Sequence, residues 1–133
     1  MATIYKTVDL DISSDAAWAF VEKFVRSEVH VFSNSASERQ DGNYRVVTDH
    51  EGAEFWELNV GIDAEHRYSS YTVPDLFGAT FHAASMQILD NGGPGCRFVW
   101  ITDVLPDSFA EDLRGFYDNL FAELVAAIKG SSA

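Results

Sequence analysis

A chain of 133 residues, 47% hydrophobic and 14% aromatic, is long enough for one domain with its own core, since domains of about 100–150 residues bury roughly two-thirds of their unfolded surface. Its 21 acidic and 9 basic side chains give a net charge of −12, which argues against nucleic acid and anionic membranes as partners, because both are held by clustered Lys and Arg. The single Cys96 allows no intrachain disulfide, no apolar run approaches the roughly 18 residues of a membrane span, and the first residues lack a charged-then-apolar leader, so a cytoplasmic location is expected.

Residues 4–12 alternate as a strand, with Ile4, Lys6, Val8, Leu10 and Ile12 on one side. Ser13 and Ser14 offer N-cap hydroxyls and Asp15 a first-turn charge. Trp18, Val21, Phe24 and Val25 then recur at helical steps. A second short helix is expected over 27–33. The polar run 34–40 reads as an edge strand, closed by the turn signal Asp41-Gly42. Residues 44–49 and 53–62 form a hairpin around His50-Glu51-Gly52. A strand over 67–73 ends at Pro74-Asp75, and 80–89 pairs with 96–104 across Asp90-Asn91-Gly92-Gly93-Pro94-Gly95.

The last element is a helix of about 20 residues, roughly 30 Å long. Ser108 and Glu111 have capping-box spacing, Phe109, Leu113, Phe116, Tyr117, Leu120, Phe121 and Leu124 form an apolar stripe, and Lys129 with Gly130 suits the C-terminus. Strand, two short helices, about six strands and a long helix make an α+β architecture, most simply a curved antiparallel sheet of about seven strands wrapped around the final helix. Phe98, Trp100, Thr102 and Val104 share one face of the last strand, so the helix either packs them as core or roofs a hollow beside them.

"DISSDAAWAFVEKF", "GNYRVVT", "GIDAEHRYSSYTV" and "GCRFVWITDVLP" occur in this order. Through Trp18 and Phe24, Gly42 and Arg45, Asp63, Arg67 and Tyr71, and Arg97, Phe98 and Trp100, they resemble the START-like, birch-pollen-allergen-type helix-grip superfamily. The resemblance is specifically to its bacterial polyketide cyclase/dehydrase branch (SRPBCC proteins) and covers nearly the whole chain as one domain, 1–133. It implies an elongated apolar cavity between sheet and C-terminal helix, of the kind that holds lipids, hormones, flavonoids or polyketides and in some members supports cyclisation or dehydration. It also implies that the final helix roofs a cavity partly lined by Phe98 and Trp100. The chain departs from the branch at His30-Val31-Phe32, where a Trp-His-Pro-like segment is usual. It departs again at His82, where a Tyr is usual, and at Ser35-Ala36-Ser37, where an apolar inward residue is usual. The departures point to a more polar hollow suited to an oxygenated aromatic, and no catalytic residue is carried over by motif.

His82 shares an apolar face with Ala84, Met86 and Ile88, where a pKa near neutrality would suit acid–base work; a hydrogen-bonded core histidine is the plainer reading. His30 falls near the expected cavity mouth, and His50 and His66 fall in turns. Glu57 and Asn59 point outward if Trp56, Leu58, Val60 and Ile62 point inward; a bulge would reverse this and bring Glu57 inside as a candidate acid or base. Tyr71 and Tyr117 bring hydroxyls. The candidate catalytic set is therefore His82, Glu57 and Tyr71, and the candidate ligand-binding set is Trp100, Phe98, His30, Met86, Phe116, Tyr117 and Ser37. Gly115, inside the helix, marks a close approach to a ligand, a local bend or an incidental exposed glycine. The four histidines lack metal-ligand spacing, "DNGGPG" lacks the strand–loop–helix context of a phosphate cradle, and no nucleophile elbow is present, so no metal or other cofactor is expected.

Three functions remain open: binding of a small hydrophobic or aromatic, polyketide-like molecule; a cyclase/dehydratase enzyme using cavity acid–base groups, for which oriented binding alone lowers the barrier; and a ligand-free interaction or stress-related domain. The expected partner is a small molecule, with the protein a monomer or homodimer.

Overall fold

Alternation in the first residues is realised as β1 (Ala2–Leu10), with Ile4 and Leu10 buried. The computed structural model describes residues 2–74 and 76–131. The Ser13 hydroxyl accepts the Ala16 N–H at 3.1 Å and starts α1 (Ser14–Val25), which buries Ala17, Trp18, Val21, Phe24 and Val25. β2 (Ser35–Asp41), β3 (Tyr44–Asp49), β4 (Glu54–Asp63), β5 (Tyr68–Thr72), β6 (Phe81–Asp90) and β7 (Cys96–Leu105) follow, then α2 (Ser108–Gly130). Asp75, in the expected turn after the fifth strand, lies outside the described residues. The strands form one seven-stranded antiparallel sheet in the order β1-β7-β6-β5-β4-β3-β2. At the β6–β7 turn, a Cβ on Gly95 would collide with the Leu10 carbonyl oxygen, so only glycine lets the first strand close against the last.

Two expectations need correction. A single helix follows β1: Ser27 adopts φ 62°, which ends the helical path, and 28–34 runs as an irregular strap. Val29 and Val31 are β-branched and both half-buried at a two-residue step, a pattern that favours extended chain over helix. Ser33 ties the strap to α2 through Glu123, and His50 Nε2 ties it to the β3–β4 turn through the Ser33 carbonyl at 2.8 Å. In α2 the N-cap is Asp107, so Ser108 is already helical and the Ser108–Glu111 capping box is out of register.

The two halves of α2 do different things. Towards its C-terminus Leu124 and Ile128 are fully buried, and Phe121 stacks on Phe98 with centroids 5.8 Å apart and planes 4° apart. Each such side chain contributes about 1.5–3 kcal/mol of burial. Ahead of that, beyond the buried Ala110, Phe116, Tyr117 and Leu120 face a cavity. The opening alternative is thus answered by position: solid core at Phe98, a hollow at Trp100. Among the described residues no helix is long and apolar enough to cross a membrane.

Candidate functional site

Trp100 sits at the junction of packed core and hollow. Its ring stacks on Phe32 of the strap at 6.4 Å and meets Tyr117 edge-on at 5.7 Å. Its indole N–H donates to the Tyr71 hydroxyl at 2.9 Å. Beyond it lies a cavity of about 310 Å³, walled mainly by aromatic and aliphatic side chains from α1, the strap, β3–β7 and α2. That is near the lower end of the ~300–1,000 Å³ typical of small-molecule sites. The exposed lining residues Asn34, Phe77 and Phe116 mark the rim. Phe77, at φ 47° in the short 3-10 turn Leu76–Gly78, lies edge-on to both Phe55 and Phe116.

The polar wall comes chiefly from β4, whose phase differs from the simplest alternation. Trp56 is 38% exposed on the outer face, against Tyr44 and under the Arg39 guanidinium, while Phe55, Glu57 and Asn59 line the cavity. A bulge between Asn59 and Gly61 absorbs Val60, itself exposed, and lets Ile62 also pack against the core. Outward placement of Glu57 and Asn59 is therefore incorrect: the apolar series Trp56–Ile62 spans a change of face.

Opposite Glu57 in register stands Arg45, 2% exposed. Its Nη1 donates to Glu57 Oε2 at 3.0 Å, its guanidinium lies 4.5 Å over the Phe24 ring, and Nη2 stands 3.7 Å from Glu38 Oε1. Arg45 Nε and Nη2 make no hydrogen bond. Glu38, behind the wall, accepts from the Ser35 hydroxyl at 2.8 Å and pairs with His30 Nδ1 at 2.8 Å. One cation thus serves two carboxylates, of which Glu57 borders the cavity.

His82 and Tyr71 occupy adjoining strands with ring centroids 5.9 Å apart. The Val73 backbone N–H donates to His82 Nδ1 at 3.0 Å, which places the proton of the neutral ring on Nε2. Burial pushes the His82 pKa down to about 4, so the ring is neutral at pH 7 and can donate through Nε2. Burial, reinforced by the Glu57 charge, pushes Tyr117 up to about 12 and raises Tyr71 well above the usual phenol range. Both hydroxyls keep their protons, and both sense the same carboxylate.

The cavity gathers His82, Glu57, Tyr71, Trp100, Met86, Phe116 and Tyr117 from the sequence-derived sets. Phe98 is packed away under Phe121, His30 is half-exposed outside the wall on Glu38, and Ser37 is exposed, because a bulge between Ser35 and Ser37 leaves Ser35 as the inward serine. Sequence reasoning missed Arg45, Asn59 and the strap's Phe32. Counting outward from the β3–β4 turn pairs residue 45 with 57, so the Arg–Glu contact was there to be found. Asp63, Glu65 and His66 cluster in the exposed β4–β5 turn within metal-ligand reach of one another, but Asp63 and His66 already bond each other at 2.7 Å.

No family model and no curated protein matches the chain in sequence. Solved structures match it over nearly its full length. The protein XoxI of Bacillus cereus superposes with a TM-score of 0.79 at 16% identity, covering 98% of this chain and 95% of its own. Norcoclaurine synthase of Thalictrum flavum, in complex with dopamine and hydroxybenzaldehyde, gives 0.66 at 18% identity, covering 96% and 84%. The di-domain ARO/CYC protein BexL, from the BE-7585A biosynthetic pathway, gives 0.71 at 14% identity, with 99% of this chain spanning 46% of that one. Sheet order, the single long roofing helix and these superpositions together identify the architecture as the helix-grip fold.

Proposed function

We propose that this protein binds a small, oxygenated aromatic molecule, polyketide-like in character, in the cavity between its sheet and the first half of α2. The observation that carries the reading is the cavity itself. It is walled largely by apolar and aromatic side chains, and a few polar groups, among them Glu57, Tyr71 and His82, converge on it. That composition matches the general design of small-molecule sites, where apolar walls supply affinity and few polar groups set orientation. The dopamine and hydroxybenzaldehyde held by the plant enzyme of the same fold support a ligand of that size and character. Native mass spectrometry of freshly purified protein tests it. Retention of a small aromatic, or uptake of one from an offered set, is the expected result. A protein that takes up none, with solvent filling the space, returns the chain to the ligand-free interaction reading.

A second reading, an enzyme of the cyclase/dehydratase kind, draws on Glu57. A carboxylate bordering an apolar cavity, with two protonated tyrosine hydroxyls near, has the parts for moving a proton from a bound molecule to its neighbour. His82 enters that reading as a neutral donor, because its Nδ1 is engaged by Val73. Incubation with dopamine and hydroxybenzaldehyde gives a first test: product formed by the protein and lost in Glu57→Gln supports it, and absence of product removes that condensation.

A further inference from the structure

Charge along the cavity wall is unevenly distributed. Among the described lining residues there is one cation, Arg45, against two carboxylates, Glu57 and Asp49. Arg45 is also engaged from behind by Glu38, whose side chain is 4% exposed. Arg45 is therefore already shared between Glu57 and Glu38, and its guanidinium carries no surplus charge for a third anion. Its Nη2 and Nε are shut off inside the wall. Asp49 is tied up differently, its Oδ1 accepting the Glu51 and Ala53 N–H groups at 2.9 Å. Glu57 is the exception: Oε2 receives the Arg45 bond, no described residue hydrogen-bonds Oε1, and the side chain, 23% exposed, lines the cavity. The other polar lining residues, among them Tyr71, Tyr117, His82, Asn59 and Ser35, carry no positive charge.

We infer that Glu57 is a ligand-selecting subsite: it accepts a hydrogen bond from an O–H or N–H on the bound aromatic and excludes molecules that carry a carboxylate. An acid entering the cavity would bring a second negative charge beside Glu57 with no free cation to meet it, in surroundings of low polarity where like charges repel strongly. A phenol or an aromatic amine meets the same carboxylate favourably, and an ammonium also gains from the aromatic walls. Arg45 acts as a positioning residue that holds the acceptor in place. This selectivity rests on the cavity-binding reading above and specifies its ligand class, setting aside fatty acids and aromatic acids.

Four probes on one naphthalene frame separate the two claims by isothermal titration calorimetry at pH 7: naphthol, aminomethylnaphthalene, methoxynaphthalene and naphthoate. Expected is binding of naphthol and aminomethylnaphthalene at least tenfold tighter than naphthoate, with methoxynaphthalene between. In Glu57→Gln the naphthol-to-naphthoate ratio should fall at least fivefold while methoxynaphthalene stays within threefold. Glu38→Gln, which removes the charge behind Arg45 at a residue that does not line the cavity, should relax the ratio in the same direction by less. Naphthoate binding as tightly as naphthol, or a ratio unmoved in both variants, overturns the subsite while leaving the cavity. Failure of methoxynaphthalene and every other probe to bind overturns the cavity reading and the subsite with it.

Discussion

His82 shows how one backbone bond can decide what a side chain is able to do. With Nδ1 accepting from Val73 N–H the tautomer is set, and burial of the ring lowers its pKa from 6.5 to about 4. The unfolded chain therefore binds this proton at a pH where the folded one refuses it. The stabilisation is complete above pH 6.5 and is lost as pH falls towards 4, amounting to about 3 kcal/mol over the window. In urea titrations between those limits, His82→Asn, whose side-chain oxygen can still accept from Val73, should lose this slope; a variant with the wild-type slope would assign the acid sensitivity elsewhere. Arg45 is the second such residue. Arg45→Met strands two carboxylates and should cost about 3 kcal/mol, as breaking buried ion pairs does. Adding Glu38→Gln should return part of that loss, since one stranded charge is gone, and strictly additive losses would show the two groups to be uncoupled. These roles were only half legible in the sequence. Position 82 on an apolar strand face could be read from alternation, but the partner of its ring nitrogen depends on where the chain passes after β5.

At the scale of elements, the strands and both helices followed from periodicity, and the failures have local causes. The bulges at Ser35–Ser37 and Asn59–Gly61 each insert one residue, and a period-two count cannot see such an insertion. In place of the short helix expected over 27–33, the β-branched Val29 and Val31 and the φ of 62° at Ser27 favour an extended strap. In α2, Gly115 is exposed, and a Cβ there would meet open space. It is thus neither a close-approach site nor a turn. Gly115→Ala should raise stability by about 1 kcal/mol, the helix-propensity difference, and calorimetry should show a correspondingly higher Tm. An unchanged or lowered Tm would mean that the glycine serves some bend of the helix.

Over the whole molecule, sheet and helix alone left core or hollow open, and it was the family resemblance that implied a cavity. Which residues border that space was less legible: Phe98 and Trp100 share a strand face, yet one is sealed under Phe121 and the other is open to the hollow. Filling the space from Val47, a half-buried lining residue, gives a test that leaves the polar wall alone. Val47→Phe should keep or raise Tm while weakening uptake of any cavity ligand at least tenfold; unweakened uptake would locate the ligand elsewhere.

The unequal halves of α2 have a kinetic corollary. Because Ala110 is buried at one end and Phe121, Leu124 and Ile128 pack the other, passage falls to the rim between them, where the ring of Phe116 lies edge-on to Phe77. Arrival and departure should share that obstacle. Stopped-flow mixing of Phe116→Ala with a tight-binding aromatic should accordingly quicken both rates together and leave their quotient nearly as it was. The two rates moving independently would mean that the guest travels by another door.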